Sequence, residues 1–103
     1  MLGEQQFQEI SEIPLFNLIG HYADTKGYGV VYFKVLMKSY EEKYMHYIHL
    51  YKDEDMKVSI YFDDCNYVHF PYYEIYFAGD VERFSNTEKS EMELFDVVKE
   101  LCK

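Results

Sequence analysis

Residues 31–37 read Val31-Tyr32-Phe33-Lys34-Val35-Leu36-Met37. Val31, Phe33, Val35 and Met37 alternate with Tyr32, Lys34, Leu36 and Lys38. That period of two assigns a β-strand over 28–38. The pattern recurs downstream. A turn over 39–43 leads to a strand over 44–51, and Lys52-Asp53-Glu54-Asp55 turns the chain again. In the next strand, 57–62, Val58, Ile60 and Phe62 share one face. Asp63-Asp64-Cys65-Asn66 makes a further turn, and 67–78 forms the last strand. Its apolar set runs Val68 and Phe70, then changes parity to Tyr73, Ile75 and Phe77. Pro71 sits at the change and cannot donate to a ladder, which predicts a bulge on an edge strand.

Upstream of this meander, residues 3–10 read as a short helix with Leu2, Phe7 and Ile10 on one side. Ser11-Glu12-Ile13-Pro14 ends it, because a residue before proline is pushed out of the α region. Asp24-Thr25-Lys26-Gly27 suits a type I turn closing a bulged hairpin between 15–23 and 28–38. A helix over 12–22 capped by Ser11 is the competing reading. At the C-terminus, Ser85-Asn86-Thr87-Glu88 offers a capping box, and Glu88, Glu91 and Glu93 suit a helix start. Met92, Leu94, Phe95, Val98, Leu101 and Cys102 form its apolar stripe. The expected fold is α+β: a single domain over 1–103, with an antiparallel meander of four to five strands. A C-terminal helix and a short N-terminal helix pack on the sheet.

Composition narrows the function. A chain of 103 residues with 49% hydrophobic and 28% charged residues is neither disordered nor membrane-spanning. Lys+Arg 10 against Asp+Glu 19 gives a net charge of −9, which disfavours a nucleic-acid-binding surface. Cys65 and Cys102 stand at unrelated spacings and read as reduced thiols. No leader pattern opens the sequence. The expected location is therefore cytoplasmic. Twelve Tyr and eight Phe occur without Trp, and Arg83 is the one arginine among ten basic residues. AT-rich coding raises Tyr and Lys alike, but Asn, which it also favours, occurs only at 17, 66 and 86. The tyrosines therefore read as selected.

No motif for catalysis or a cofactor stands out. His46 and His49 point to opposite faces of a strand and cannot share one ion without distortion; Cys65 and His69 could complete a soft site with one of them, but partly buried or surface histidines are the favoured reading. Pairing Cys65 with His69 or His21 as a nucleophile is opposed by Asp63 and Asp64, which raise a thiol pKa. Gly27-Tyr28-Gly29 precedes a strand rather than a helix, so no helix dipole faces an anion there. Neither metal, cofactor nor enzymatic activity is expected.

Two other features carry more weight. A meander collects Glu41, Glu42, Asp63 and Asp64 at one end of the sheet. It collects Asp53, Glu54, Asp55, Asp80 and Glu82 at the other. With Val31, Phe33 and Val35 turned inward, the outer face carries Tyr32, Leu36, Met45, Tyr47, His49, Tyr51, Tyr61, Tyr72 and Tyr76. Either the N-terminal segment covers this surface as a second layer, or an aromatic surface of this extent marks a docking face, which is the favoured reading. The expected function is that of a small acidic binding protein, an inhibitor of a basic, nucleic-acid-handling protein target. This is the physical profile of phage counter-defence proteins, DNA mimics and immunity proteins, an analogy of class and not of motif. The alternatives are a homodimeric structural or regulatory domain, or a small-molecule binder.

Overall fold

The computed structural model describes residues 11–37, 43–63 and 71–103. The expected helix over 3–10, the turn centre at 39–42 and residues 64–70 lie outside them. Those residues include Glu41, Glu42, Asp64, Cys65 and His69.

The first described element is helix α1, Pro14–Thr25, and not a strand of a hairpin. Leu15, Phe16, Ile19, Gly20 and Ala23 are its buried residues, a stripe of helical spacing. Pro14 begins the helix. Its fixed φ suits the first helical position, where a backbone N–H has no partner to lose. Ser11 is not the cap; Ile13 holds that position without a side-chain bond. The Asn17 amide instead ties back to Ser11, donating to its carbonyl at 2.9 Å and accepting from its N–H at 3.1 Å. At the other end, the Tyr28 N–H donates to Ala23 O and the Gly27 N–H to Asp24 O, both at 2.9 Å. With Gly27 at φ 85°, this is a Schellman motif that turns the chain into the sheet.

Five strands follow: β1 Gly29–Met37, β2 Lys43–Lys52, β3 Asp55–Asp63, β4 Tyr72–Phe77 and β5 Asp80–Ser85. They pair antiparallel in the order β1-β2-β3-β4-β5. Asp53 (φ 55°) and Glu54 (φ 70°) make the tight turn between β2 and β3. Ala78 (φ 49°) and Gly79 (φ 83°) make the one between β4 and β5. Two central residues at positive φ are what a two-residue hairpin of primed type requires. β5 was not expected, since the apolar run was carried through to Ala78. It also makes β4 an interior strand, so Pro71 marks no bulged edge but stands just before the strand starts, where its missing donor costs no ladder bond.

Helix α2, Glu88–Leu101, closes the domain. Thr87 is its cap and accepts from the Ser90 N–H at 3.2 Å, two residues later than the Ser85 cap of the expected Ser85–Glu88 box. Leu94, Val98 and Cys102 are buried; Met92, expected in the stripe, is exposed. Both helices cover one face of the sheet. α1 packs on β1 and β2, α2 packs on β5, and the two helices touch. Between the layers Phe16, Ile19, Leu94 and Val98 meet Ile48, Leu50, Val58, Ile60, Phe62, Tyr73 and Ile75. The architecture is α+β, with the two described helices on one side of an antiparallel meander. No helix among the described residues is long and apolar enough to cross a membrane.

In β1 the facing is the reverse of that expected. The register sets Tyr32 opposite Ile48 and Val30 opposite Leu50, both buried, so Val30 and Tyr32 face the helices. Val31, Phe33 and Val35 face outward. A one-residue change of parity moves every side chain of a strand to the other face. Polar partners settle the choice here. The Tyr32 hydroxyl meets His46 Nδ1 at 2.8 Å, and Lys34 reaches Glu12 at 2.5 Å. Neither bond is available from the outer face.

Candidate docking face

The face opposite the helices is organised as rows that cross all five strands. The central row is Phe33–Tyr47–Tyr61–Glu74–Arg83, each residue directly opposite the next. On one side of it lies Val31–His49–Ser59–Tyr76–Val81, and on the other Val35–Met45–Asp63–Tyr72–Ser85. Directly opposed side chains are the closest neighbours in a sheet, so aromatic residues placed so will stack. Phe33 lies flat against Tyr47, with ring centroids 4.9 Å apart and planes 8° from parallel. Tyr47 stacks in turn on Tyr61 at 5.6 Å, and Tyr61 on Tyr76 at 6.1 Å. His49 meets Phe33 edge-on at 5.0 Å. Partial burial holds the His49 imidazole below its ordinary pKa, so this part of the face is uncharged near neutral pH.

At the β4 end the row becomes polar. Glu74 is buried although it belongs to the outer face, at 8% exposure. Its carboxylate accepts from the Tyr76 hydroxyl at 2.6 Å and from Arg83 Nε and Nη2 at 2.9 and 2.6 Å. The Tyr61 hydroxyl lies 3.2 Å from that of Tyr72, and the Arg83 guanidinium sits 4.1 Å above the Tyr72 ring. Burial alone raises the Glu74 pKa, but the hydrogen bonds from Tyr76, Arg83 and Tyr61 outweigh it and leave the group below the usual carboxylate range. The same surroundings, burial first, raise the Tyr61 phenol.

This has a measurable consequence. A carboxylate whose folded pKa is depressed adds stability above its unfolded pKa and loses it as pH falls through the folded value. Glu74→Gln is therefore expected to flatten the acid limb of a melting-temperature profile between neutral and strongly acid pH. An unchanged acid limb would show that Glu74 is not held ionised by this network.

Of the sequence-expected contact residues, Tyr47, Tyr51, Tyr61, Tyr72 and Tyr76 lie on this face. Tyr32 does not; it is on the helix side, edge-to-face with Phe16. Leu36 was expected outward as well, but its side chain is outside the description. Asp53 and Asp55 are exposed in and beside the β2–β3 turn. Asp80 follows the β4–β5 turn at the same end, as the meander predicts. Asp63 stands at the opposite end, between Met45 and Tyr72. Glu41, Glu42 and Asp64 are outside the described residues.

Phe33, Glu74 and Arg83 were missed. The signals existed: one acid inside the apolar run Tyr72-Tyr73-Glu74-Ile75-Tyr76-Phe77, and the chain's sole arginine. His46 and His49 do face opposite ways, His46 being buried on the helix side. Among the described residues no group of three or more His, Cys, Asp or Glu is placed to hold a metal ion. Cys102 is a buried free thiol whose pKa is raised by burial, the setting of an unreactive cysteine. At the turn end of the face, Met56, Ser59, Tyr76 and Gly79 help line an open groove of ≈ 230 Å³, small beside the roughly 300–1,000 Å³ of ordinary small-molecule sites. Comparison with protein-family models, curated proteins and solved structures gives no match to this chain.

Proposed function

We propose that this is a cytoplasmic, non-enzymatic binding protein that inhibits a basic, nucleic-acid-handling protein by docking its open sheet face. The observation that carries the reading is the stacked row Phe33–Tyr47–Tyr61 ending in the Glu74–Arg83 pair. Tyrosine and arginine are the residues that most often anchor interfaces, and stacking holds them rigid before a partner arrives. The charge of −9 favours a basic partner surface. An inhibitor of the phage counter-defence, DNA-mimic or immunity kind fits that combination.

The test is site-specific photo-cross-linking in the host cell, with the cross-linker at Tyr47, at Tyr76 or at Glu93 on α2. Adducts from Tyr47 and Tyr76 to one nucleic-acid-handling protein, absent from Glu93, are expected. Adducts from Glu93 alone would contradict the reading. Charge reversal at the turn end, Asp53→Lys with Asp55→Lys, is expected to slow association with that partner and leave dissociation nearly unchanged. The effect should shrink as salt rises, because exposed charges act mainly through screened, long-range steering. Stopped-flow association rates at two salt concentrations check this; a rate independent of the substitution would remove the acidic end from the account.

A further inference from the structure

The two edges of the sheet are built differently. β5 has six residues, three of them the charged Asp80, Glu82 and Arg83. Charges of this kind keep an edge strand from pairing with another chain. β1 has nine residues, and Lys34 is the only charged one. Among the described residues β2 is its sole sheet neighbour, which leaves the other side of the strand without a ladder. Val31 and Val35 are 46% exposed and Phe33 37%, although all three are apolar. Their β2 neighbours cover one flank of each side chain, and no described strand covers the other.

We infer that β1 is the contact between two copies of this chain, joined edge to edge in an antiparallel register centred on Phe33. Phe33 is the midpoint of Gly29–Met37, so a two-fold axis there sets Phe33 against the second copy's Phe33. Val31 then faces Val35 of the second copy, and Lys34 faces Tyr32 instead of another lysine. No like charges meet across the joint, and apolar side chains oppose apolar side chains along the outer face. The distribution of charge favours this edge over the other. Glu12, whose carboxylate reaches β1, is already paired with Lys34. Asp80 and Glu82 lie on β5, four strand spacings away, about 19 Å at ~4.8 Å each. That exceeds the screening length of about 8 Å at physiological salt. β1 itself carries no acid and β5 carries Asp80 and Glu82, so a β1–β1 joint sets fewer carboxylates against one another than a β5–β5 joint would. The joined sheets form one ten-stranded surface that carries both aromatic rows side by side.

The test does not depend on the docking partner. Sedimentation equilibrium of the full chain over a concentration series is expected to show a monomer–dimer equilibrium. Val31→Lys with Val35→Lys places lysine against lysine twice in this register and should abolish the dimer. Val31→Lys with Val35→Glu places opposite charges together and should retain it. Both pairs alter exposed side chains, and circular dichroism verifies that they fold. Hydrogen exchange reports the backbone: amides within 29–37 should gain protection as the dimer forms. A wild-type monomer at every concentration overturns the inference, as does an equal response of the two double variants. Protection of these amides that is already complete in the dilute monomer overturns it too, because the chain would then cover its own edge. A dimer without added protection overturns it in favour of stacked faces. Tyr47→Ala should leave the dimer intact, which separates this contact from partner docking.

Discussion

Phe16→Ala is expected to remove about 3–5 kcal/mol of folding stability, the usual cost of truncating a fully buried phenylalanine. Phe16 is 0% exposed and sits where α1 meets the sheet, with ring centroids 6.4 Å from Tyr32 and 6.1 Å from Tyr73. Its removal opens a cavity between two aromatic residues whose hydroxyls are already committed, Tyr32 to His46 and Tyr73 to Glu91. Neither ring can collapse into the space without breaking its bond. A small domain has only about 5–15 kcal/mol in total. The melting temperature should therefore fall by roughly 10 °C or more. A melting curve that does not move would mean α1 does not pack as described. Phe95→Ala is expected to cost less, because Phe95 is only partly buried, edge-on to Tyr22 at 5.9 Å and under Lys99.

The second large effect concerns binding. Tyr47→Ala takes away the middle ring of the row, which lies between Phe33 and Tyr61. Truncating a desolvated aromatic anchor typically costs ~2 kcal/mol or more, about thirtyfold in affinity. For variants of one interface most of such a loss is in the dissociation rate. The complex with the cross-linked partner should therefore dissociate some tens of times faster, with association little changed. Tyr76→Ala, at the exposed side of the same cluster, should act in the same direction. Surface plasmon resonance on variants shown to be folded gives both rates. Unchanged dissociation for both tyrosine variants would take the row out of the interface.

The central strands were legible because alternation is a strong local signal, and Val58, Ile60 and Phe62 face the core as their spacing requires. The segment around Asp24-Thr25-Lys26-Gly27 was ambiguous for a physical reason. A type I turn with a bulge and a Schellman motif both end on a glycine in the left-handed region, so one tetrapeptide serves either. What separates them is the helical spacing of Leu15, Phe16, Ile19 and Ala23. In β1, Val30 and Tyr32 are nearly as apolar as Val31, Phe33 and Val35, so alternation cannot choose the inward set. The choice depends on His46 and Glu12, which are distant in sequence. β5 escaped notice because its turn is Ala78-Gly79 and not one of the commoner Asn-Gly or Asp-Gly pairs. The burial of Glu74 was beyond reach for the same kind of reason. It depends on Arg83, on a strand the alternation does not reveal.

The most direct test of the docking face is hydroxyl-radical footprinting of the tyrosines, with and without the bound partner. Tyr47, Tyr61 and Tyr76 lie on the outer face, while Tyr22 and Tyr28 pack toward the helices, Tyr22 against Phe95 and Tyr28 against Leu101. Binding is expected to protect Tyr47, Tyr61 and Tyr76 and leave Tyr22 and Tyr28 as reactive as before. Protection of Tyr22 together with exposed Met92, while the outer-face tyrosines keep their free reactivity, would put the partner on the helices and contradict the account.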